Sequence, residues 1–325
     1  GMNAISSDAQ GKATIDYDKC VSCGMCIVNC PFGAISDKGQ IFQLIHAIKA
    51  GQRVIAIVAP AFVGQFGPSV TPQKLESAMK QLGFDSMVEV AIGADLCTIE
   101  EAKDFMREVP EHQPFMATSC CPSWSVMAKK LFPDLAPYIS MALTPMVLTA
   151  RLQKKMHKNC KIAFIGPCSA KKLEASRRTI RSDVDFVLTF EELMGMFEAK
   201  GVDLTTLADS EIADEAAGAG RGFAVSGGVA QAVADVIKKL DPDREVKIAS
   251  AQGLQECRKM LQLAKAGKYN GYLLEGMGCP GGCVAGAGTI QPVRKSAASV
   301  AKFQHDSEHQ NALDSTYKIT LSLLD

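Results

Sequence analysis

Aromatic residues make up only 6% of the 325-residue chain, with one tryptophan, and there are five histidines and no net charge. Each scarcity excludes something. Lysine plus arginine equals aspartate plus glutamate at 35 each, so no global field favours nucleic acid or an anionic membrane, and neither is expected as a partner. No apolar run reaches the roughly 18 residues of a membrane helix, and the N-terminus lacks the charged-then-apolar pattern of a secretion signal, so a cytoplasmic protein is expected. Gly1 ahead of Met2 reads as a residue left by expression. The histidines form no pair at helical spacing, and exposed or packing roles are expected for them. Cysteine, by contrast, is plentiful. Twelve in a cytosolic-looking chain argue against a disulfide framework and for metal or redox chemistry, because cytosolic thiols are kept reduced.

Nine of the twelve fall in four tight motifs. Cys20, Cys23, Cys26 and Cys30, followed by Pro31, give the C-x2-C-x2-C-x3-C-P run of bacterial ferredoxins, whose closely spaced thiolates wrap one face of a 4Fe-4S cubane. In two-cluster ferredoxins the fourth cysteine serves the other cluster, and no second run is present here, which leaves the fourth ligand of this cluster open. The stretch Glu275 to Cys283 sets Cys279 and Cys283 four residues apart on a backbone almost stripped of side chains, so that something bulky can approach it. A disulfide needs no such space, and zinc would ask for a second short-spaced pair that this half of the chain lacks. The partner thiols must come from farther away, and Cys120-Cys121 and Cys168 are available. Cys97, Cys160 and Cys257 read as buried small hydrophobes, with a ligand role for one of them left open.

From Arg53 the pattern is α/β. Val54 to Val58, Met87 to Ile92, Phe115 to Ala117, Lys161 to Ile165, Val184 to Phe190, Val246 to Ala249 and Tyr272 to Leu274 read as strands. Helices are expected from Thr71-Pro72 to about Gly83, after a capping box made by Thr98 and Glu101, from Ala170, and near 191–200, 228–240 and 254–266. The stretch 213–222 reads as a loop and the tail 296–325 as polar, with a helical middle and an alternating end. Three cysteine loops thus follow three strands, and in open α/β sheets ligands collect beyond the carboxyl ends of strands. The expected fold class is α/β, with two lobes around a cleft and a small ferredoxin-like segment ahead of them. The expected division is 1–50 for that segment, 51–155 for the first lobe and 156–325 for the second lobe and tail.

Thr118-Ser119-Cys120-Cys121-Pro122-Ser123-Trp124, Gly166-Pro167-Cys168-Ser169-Ala170-Lys171-Lys172-Leu173-Glu174 and Glu275-Gly276-Met277-Gly278-Cys279-Pro280-Gly281-Gly282-Cys283 together resemble the three signature loops of iron-only (FeFe) hydrogenases, in their order. The resemblance covers residues 15 to 295. It implies reversible reduction of protons to dihydrogen at an H-cluster, a 4Fe-4S cubane joined through one cysteine sulfur to a two-iron unit with carbon monoxide, cyanide and a dithiolate amine. By position in the motifs, Cys121, Cys168, Cys279 and Cys283 would hold the cubane, and Cys283 would be the bridge. Lys171 would contact a cyanide and Met277 would pack on the two-iron unit, with Ala59, Pro60, Gly166 and Pro167 also lining it. Cys120 would pass protons, with Glu101, Asp104 and Ser140 as relay groups behind it. The ferredoxin-type cluster would be the electron wire, a ferredoxin or similar redox protein the partner, and maturation proteins the source of the two-iron unit.

Three positions depart from the better-studied members. Gly166 stands where they have methionine, Met146 where they have a glutamine, and Ala285-Gly286-Ala287-Gly288-Thr289 where they have a glycine triplet followed by Gln-Pro. These variants resemble the less characterised group B branch, and the short N-terminus suggests a truncated chain. Two rivals share the fold: an iron-sulfur scaffold that binds cubanes alone, which would have no use for Cys120, and a hydrogen sensor, which usually adds a signalling domain. Blander readings stand beside the relay and cyanide roles. Lys171 and Lys172 could be a solvated helix start, and an acidic first turn is common for helix-dipole reasons alone.

Overall fold

Strands covered on both faces carry unbroken apolar runs, because neither face meets water. Val54 to Val58 is such a run, and in the computed structural model it lies fully buried. The structure describes residues 2–177, 182–211 and 216–324. Among these the strands are β1 (Ile5–Ser7), β2 (Ala13–Ile15), β3 (Arg53–Val58), β4 (Ser86–Glu89), β5 (Met116–Ala117), β6 (Cys160–Ile165), β7 (Phe186–Leu188), β8 (Lys247–Gln252) and β9 (Tyr272–Met277). β1 and β2 form an antiparallel hairpin. The others form two wholly parallel sheets, one of order β4-β3-β6-β7 and one of order β5-β9-β8. This is the expected two-lobed α/β fold. Neither sheet respects the boundary at residue 155: β6 and β7 join β3 and β4, while β5 joins β8 and β9. β6 is as apolar as β3 and pairs with it from Arg53–Cys160 to Val58–Ile165, so one cut in the sequence cannot separate the lobes.

Most helices start where local chemistry places them. The Thr71 hydroxyl accepts from Lys74 N at 3.1 Å ahead of helix Pro72–Leu82, and helices Phe190–Lys200, Gly228–Leu240 and Leu254–Lys265 match the pattern. Thr98 is the exception. β4 stops at Glu89, and one helix runs from Ala91 to Glu108 with Thr98 in its interior, the hydroxyl donating to Ala94 O at 2.8 Å. Its first nine residues are all buried, against helices Pro145–Met156 and Gly228–Leu240 among others. An apolar run buried on all sides loses its helical period and reads as a strand. Glu101 and Asp104 therefore sit in mid-helix, and the helix-dipole reading of this acidic cluster falls away.

Of the stretch expected as a loop, 213–215 lie outside the described residues, and Gly218–Arg221 forms a buried helical turn continued by Gly222–Ala224. Asp95 orders it, accepting from Ala217 N at 2.8 Å and Gly220 N at 3.0 Å. The end of the tail, expected to alternate, is a 3-10 helix over Thr316–Leu323, and Asp325 lies outside the described residues. Among the described residues no helix is long and apolar enough to cross a membrane. Cys97, Cys160 and Cys257 are buried in the lobes.

Two features fix the site. β9 places Gly276 against Trp124, whose Nε1 donates to Thr118 O at 2.9 Å, and a β-carbon at 276 would fall inside the indole. Next to it, Glu275 accepts from Gly227 N at 2.6 Å and Ala230 N at 2.8 Å, capping helix Gly228–Leu240 from the neighbouring sheet. The N-terminal segment is clamped onto this frame. Lys130 Nζ donates to Asp18 O at 2.5 Å and Cys20 O at 3.2 Å, Lys172 pairs with Asp37 at 3.0 Å, and Gly24 packs against Ala287 and Ser169.

Gly276→Ala is expected to destabilise the fold by about 2 kcal/mol, as overpacking does in a filled core. Urea unfolding followed by the fluorescence of Trp124 measures it, and Trp124→Leu in the same chain, followed by circular dichroism, should recover part of the loss. A change below about 0.5 kcal/mol, the scale of an ordinary surface substitution, would show that the indole and β9 are not in contact.

Candidate metal centre

The two sheets end their strands at one crevice. β5 delivers Thr118 to Cys121, β6 delivers Gly166 to Cys168, and β9 delivers Gly278 to Cys283. Cys121 and Cys168 are extended residues that each immediately precede a helix, Pro122–Leu131 and Ser169–Ser176. Their thiols are therefore held at helix starts, where backbone N–H groups favour negative charge. Gly282 has φ 91°, and a β-carbon there would lie 2.6 Å from Ser226 N, so the last loop can turn tightly only with glycine. Cys121, Cys168, Cys279 and Cys283 line one cavity.

Burial and proximity set the electrostatics. Burial pushes the Cys168 thiol up to about 11, with the charge of Cys121 adding to it. Cys279 and Cys283 are pushed up further by burial and by Cys168 and Cys121. Thiols that disfavour one another's ionisation call for positive charge between them, which the irons of a cluster supply. Gly278 N donates to Cys121 Sγ at 3.3 Å, a hydrogen bond that suits a thiolate. Among the described residues no three His, Cys, Asp or Glu side chains converge as a single metal ion requires. A cubane asks instead for one thiol at each corner, and four thiols around one cavity fit it.

The expected lining residues divide. Ala59, Pro60, Pro167, Lys171 and Met277 line the same cavity, as does Cys120. Gly166 stands behind the wall, its N–H bonded to Leu188 O at 3.0 Å and its Cα side covered by Phe164 and Ala59. Lys171 Nζ reaches Cys120 O at 3.2 Å and Glu174 at 2.6 Å. Burial alone would lower its pKa, but Glu174 holds it above the ordinary lysine value. Burial, then Glu101, pushes the Cys120 thiol well up, so it is a protonated thiol at neutral pH.

Behind Cys120 the relay candidates separate. Glu101 is fully buried and accepts from Ser119 N at 3.4 Å. Burial pushes its carboxyl up to about 7, against the pull of the Ser140 hydroxyl and the Ser119 N–H. Ser140 is buried and tied to β5 by its N–H on Ala117 O at 2.7 Å. Asp104 lies apart, paired with Arg107 at 2.7 Å in a surface groove. Sequence reasoning assigned no role to Phe164, Phe223 or Glu174. Glu174 was signalled by its three-residue spacing from Lys171, and Phe164 by sharing a strand face with Gly166. Phe223 gave no signal, because the turn that carries it reads as a loop.

In the N-terminal segment Cys20, Cys23, Cys26 and Cys30 surround the turn Met25–Val28 and are half-buried. Ser22 N donates to Cys20 Sγ at 3.4 Å and Ala34 N to Cys30 Sγ at 3.3 Å. Cys257 is buried and directs its thiol to Ala251 O and Met277 O, within its own lobe. Cys20, Cys23 and Cys26 share a groove with Gly278 and Pro280, the two neighbours of Cys279, so the two cysteine sets adjoin.

Comparison with known proteins agrees with this geometry. The family described as iron only hydrogenase large subunit, C-terminal domain, matches residues 52–287, and the 4Fe-4S binding domain matches residues 13–36. The chain is 29% identical to the NADP-reducing hydrogenase subunit HndD of Solidesulfovibrio fructosivorans over 83% of its own length and 55% of that protein, so it spans about half of that relative. It is also 26% identical to the cytosolic iron-sulfur assembly component 3 of Bos taurus, over 86% of this chain and 72% of that one. Among solved structures, a variant of the [FeFe]-hydrogenase HydA1 from Chlamydomonas reinhardtii superposes with a TM-score of 0.70 at 22% identity, covering 87% of this chain and 94% of that chain. At that identity the likeness is one of fold.

The Glu101 carboxyl is expected to be a neutral acid below about pH 7 and a carboxylate above it. Its folded value lies above the ordinary 4.5, so the protonated form favours the folded chain. That stabilisation is complete below pH 4.5 and is lost as pH rises through 7, a change on the order of 3 kcal/mol. Infrared titration should show a carboxylic-acid carbonyl band that disappears with a midpoint near 7 and is absent in Glu101→Gln. A midpoint at the ordinary carboxylate value would show that water reaches this side chain.

Proposed function

The chain belongs to the iron-only hydrogenase family, and we propose that it catalyses the reversible reduction of protons to dihydrogen at an H-cluster. In this reading Cys121, Cys168, Cys279 and Cys283 hold the cubane of that cluster, and Cys283 is the bridging thiolate. Electrons arrive through a 4Fe-4S cluster at Cys20, Cys23, Cys26 and Cys30 from a ferredoxin-like carrier. When bound, the H-cluster supplies the electron-rich site at which protons and dihydrogen interconvert, and maturation proteins must deliver its two-iron part.

One observation carries the reading. The cavity does not stop at the four thiols but continues past Cys120, Lys171 and Met277. A protein that holds cubanes alone, as an assembly factor of this family would, has no use for that volume or for a protonated thiol facing it. The chain's own residues divide the work. Cys120 holds a proton at the cavity wall, and Glu101, titrating near 7, changes protonation near neutral pH and so can take up a proton and return one to it. Ser119 and Ser140 orient Glu101. Asp104, one turn farther along the same helix and paired with Arg107, faces the surface groove. Lys171, charged because Glu174 faces it, presents an ammonium to anionic ligands of the cluster, and Met277, Pro60 and Met146 exclude water.

Chain reconstituted with iron and sulfide is expected to bind about eight irons, four at each cysteine set. After treatment with a synthetic two-iron complex it should show carbon monoxide and cyanide infrared bands and evolve hydrogen. Absence of the bands in protein holding both cubanes would favour the assembly reading. Cys120→Ala should keep the bands and iron while turnover falls about 10²-fold or more, the scale of losing a general acid-base group. Cys283→Ser should prevent stable attachment of the two-iron part, and full-strength bands in that variant would refute the assignment of the bridge.

A further inference from the structure

Gly166 does not need glycine for its backbone. Its φ is not among the positive values of this chain, and its N–H makes an ordinary bond to Leu188 O at 3.0 Å. What glycine does there is make room. Phe164 and Gly166 are two residues apart at the end of β6, on one face of the sheet. A β-carbon at 166 would lie 2.7 Å from Cε1 and Cζ of the Phe164 ring and 2.9 Å from the Ala59 β-carbon, closer than packed carbon atoms approach. The ring and any side chain at 166 exclude one another. The ring is 2% exposed and forms part of the apolar wall of the cavity with Pro60, Met146, Pro167 and Phe223.

We propose that Phe164 is the residue that sets which diatomic molecules the cavity admits. Its ring occupies the volume left by the missing side chain at 166 and narrows the wall beside Cys168, so that dihydrogen is favoured over the larger carbon monoxide and dioxygen. The substrate side of this inference rests on the proposed hydrogenase function, whereas the occupancy of the wall does not. Selection by an apolar wall of this kind is worth about tenfold per methylene-sized change in a pocket, and truncating a phenyl ring removes more than one.

The test uses the full chain carrying its cubanes, with Phe164→Ala, the milder Phe164→Leu, and Phe164→Ala combined with Gly166→Met. Crystals under xenon pressure should show an additional atom in Phe164→Ala, in the space the ring fills in the wild type, and none there once Gly166→Met refills it. In protein treated with the two-iron complex, the rate of carbon monoxide binding, followed by infrared and divided by hydrogen turnover in the same sample, should rise about tenfold or more in Phe164→Ala. Phe164→Leu should lie between, and the double variant should return toward wild type. No additional xenon in Phe164→Ala over the wild type, or an unchanged ratio in both single variants, overturns the proposal. If no carbonyl bands form in any sample, the hydrogenase reading fails while xenon still decides whether Phe164 closes the wall.

Discussion

Four thiols gathered around one cavity, three of them held against ionisation by burial and by their neighbours, are the constraint on which the rest of this structure depends. Such a group is stable as thiolates only around concentrated positive charge, and each sulfur must face a different corner of it. The strands, helix starts and glycines near the site all serve that requirement. Parallel strands from two sheets bring three loops to one crevice, two helix starts stand behind Cys121 and Cys168, and Gly276, Gly278 and Gly282 let chain segments approach where side chains would collide. Removing the charge that belongs between the thiols leaves a site whose ionised form burial penalises, as the raised values of Cys168, Cys279 and Cys283 record.

The N-terminal segment makes physical sense only next to that site. It has little core of its own, since among the described residues of its first forty Val21 alone is a buried hydrophobe, and it relies on clamps to the larger body. Lys130 belongs to the helix that begins at Cys121-Pro122, and Lys172 to the helix that begins after Cys168. The clamps therefore run from the two helices that begin beside Cys121 and Cys168 to the segment that carries the other cysteine set. Docking and ligation share their elements, which fixes the spacing between the two cysteine sets more firmly than a flexible tether could.

Family membership alone does not decide the chemistry, because the chain is similar in sequence both to a hydrogenase subunit and to a cytosolic iron-sulfur assembly component. A fold supplies a scaffold, and the site carries the function. Here the features that favour the hydrogenase reading are small: a second thiol beside Cys121, a lysine kept charged by Glu174, and an apolar wall that shares its cavity with the four thiols.

The sequence by itself determined the candidate thiols and the loops that carry them. Cluster ligation is a local demand, met by thiols at short fixed spacings and by glycines beside them, and the strand before each loop is an apolar run that needs no partner to be recognised. It also placed Cys97, Cys160 and Cys257 in the interior, because an isolated thiol behaves as a small hydrophobe. The tertiary structure decided what depends on neighbours distant in the chain. Only the sheets show that β6 joins β3 while β5 crosses to β9, since an apolar strand does not encode which strand it will pair with. Only burial shows that the residues after β4 are a helix enclosed on all sides, which turns Thr98 from a cap into an interior residue and separates buried Glu101 from half-buried Asp104 one turn on. Gly166 shows the same division: its identity is written in the chain, but its purpose, room for the ring of Phe164, exists only where the strand, Ala59 and the cavity meet.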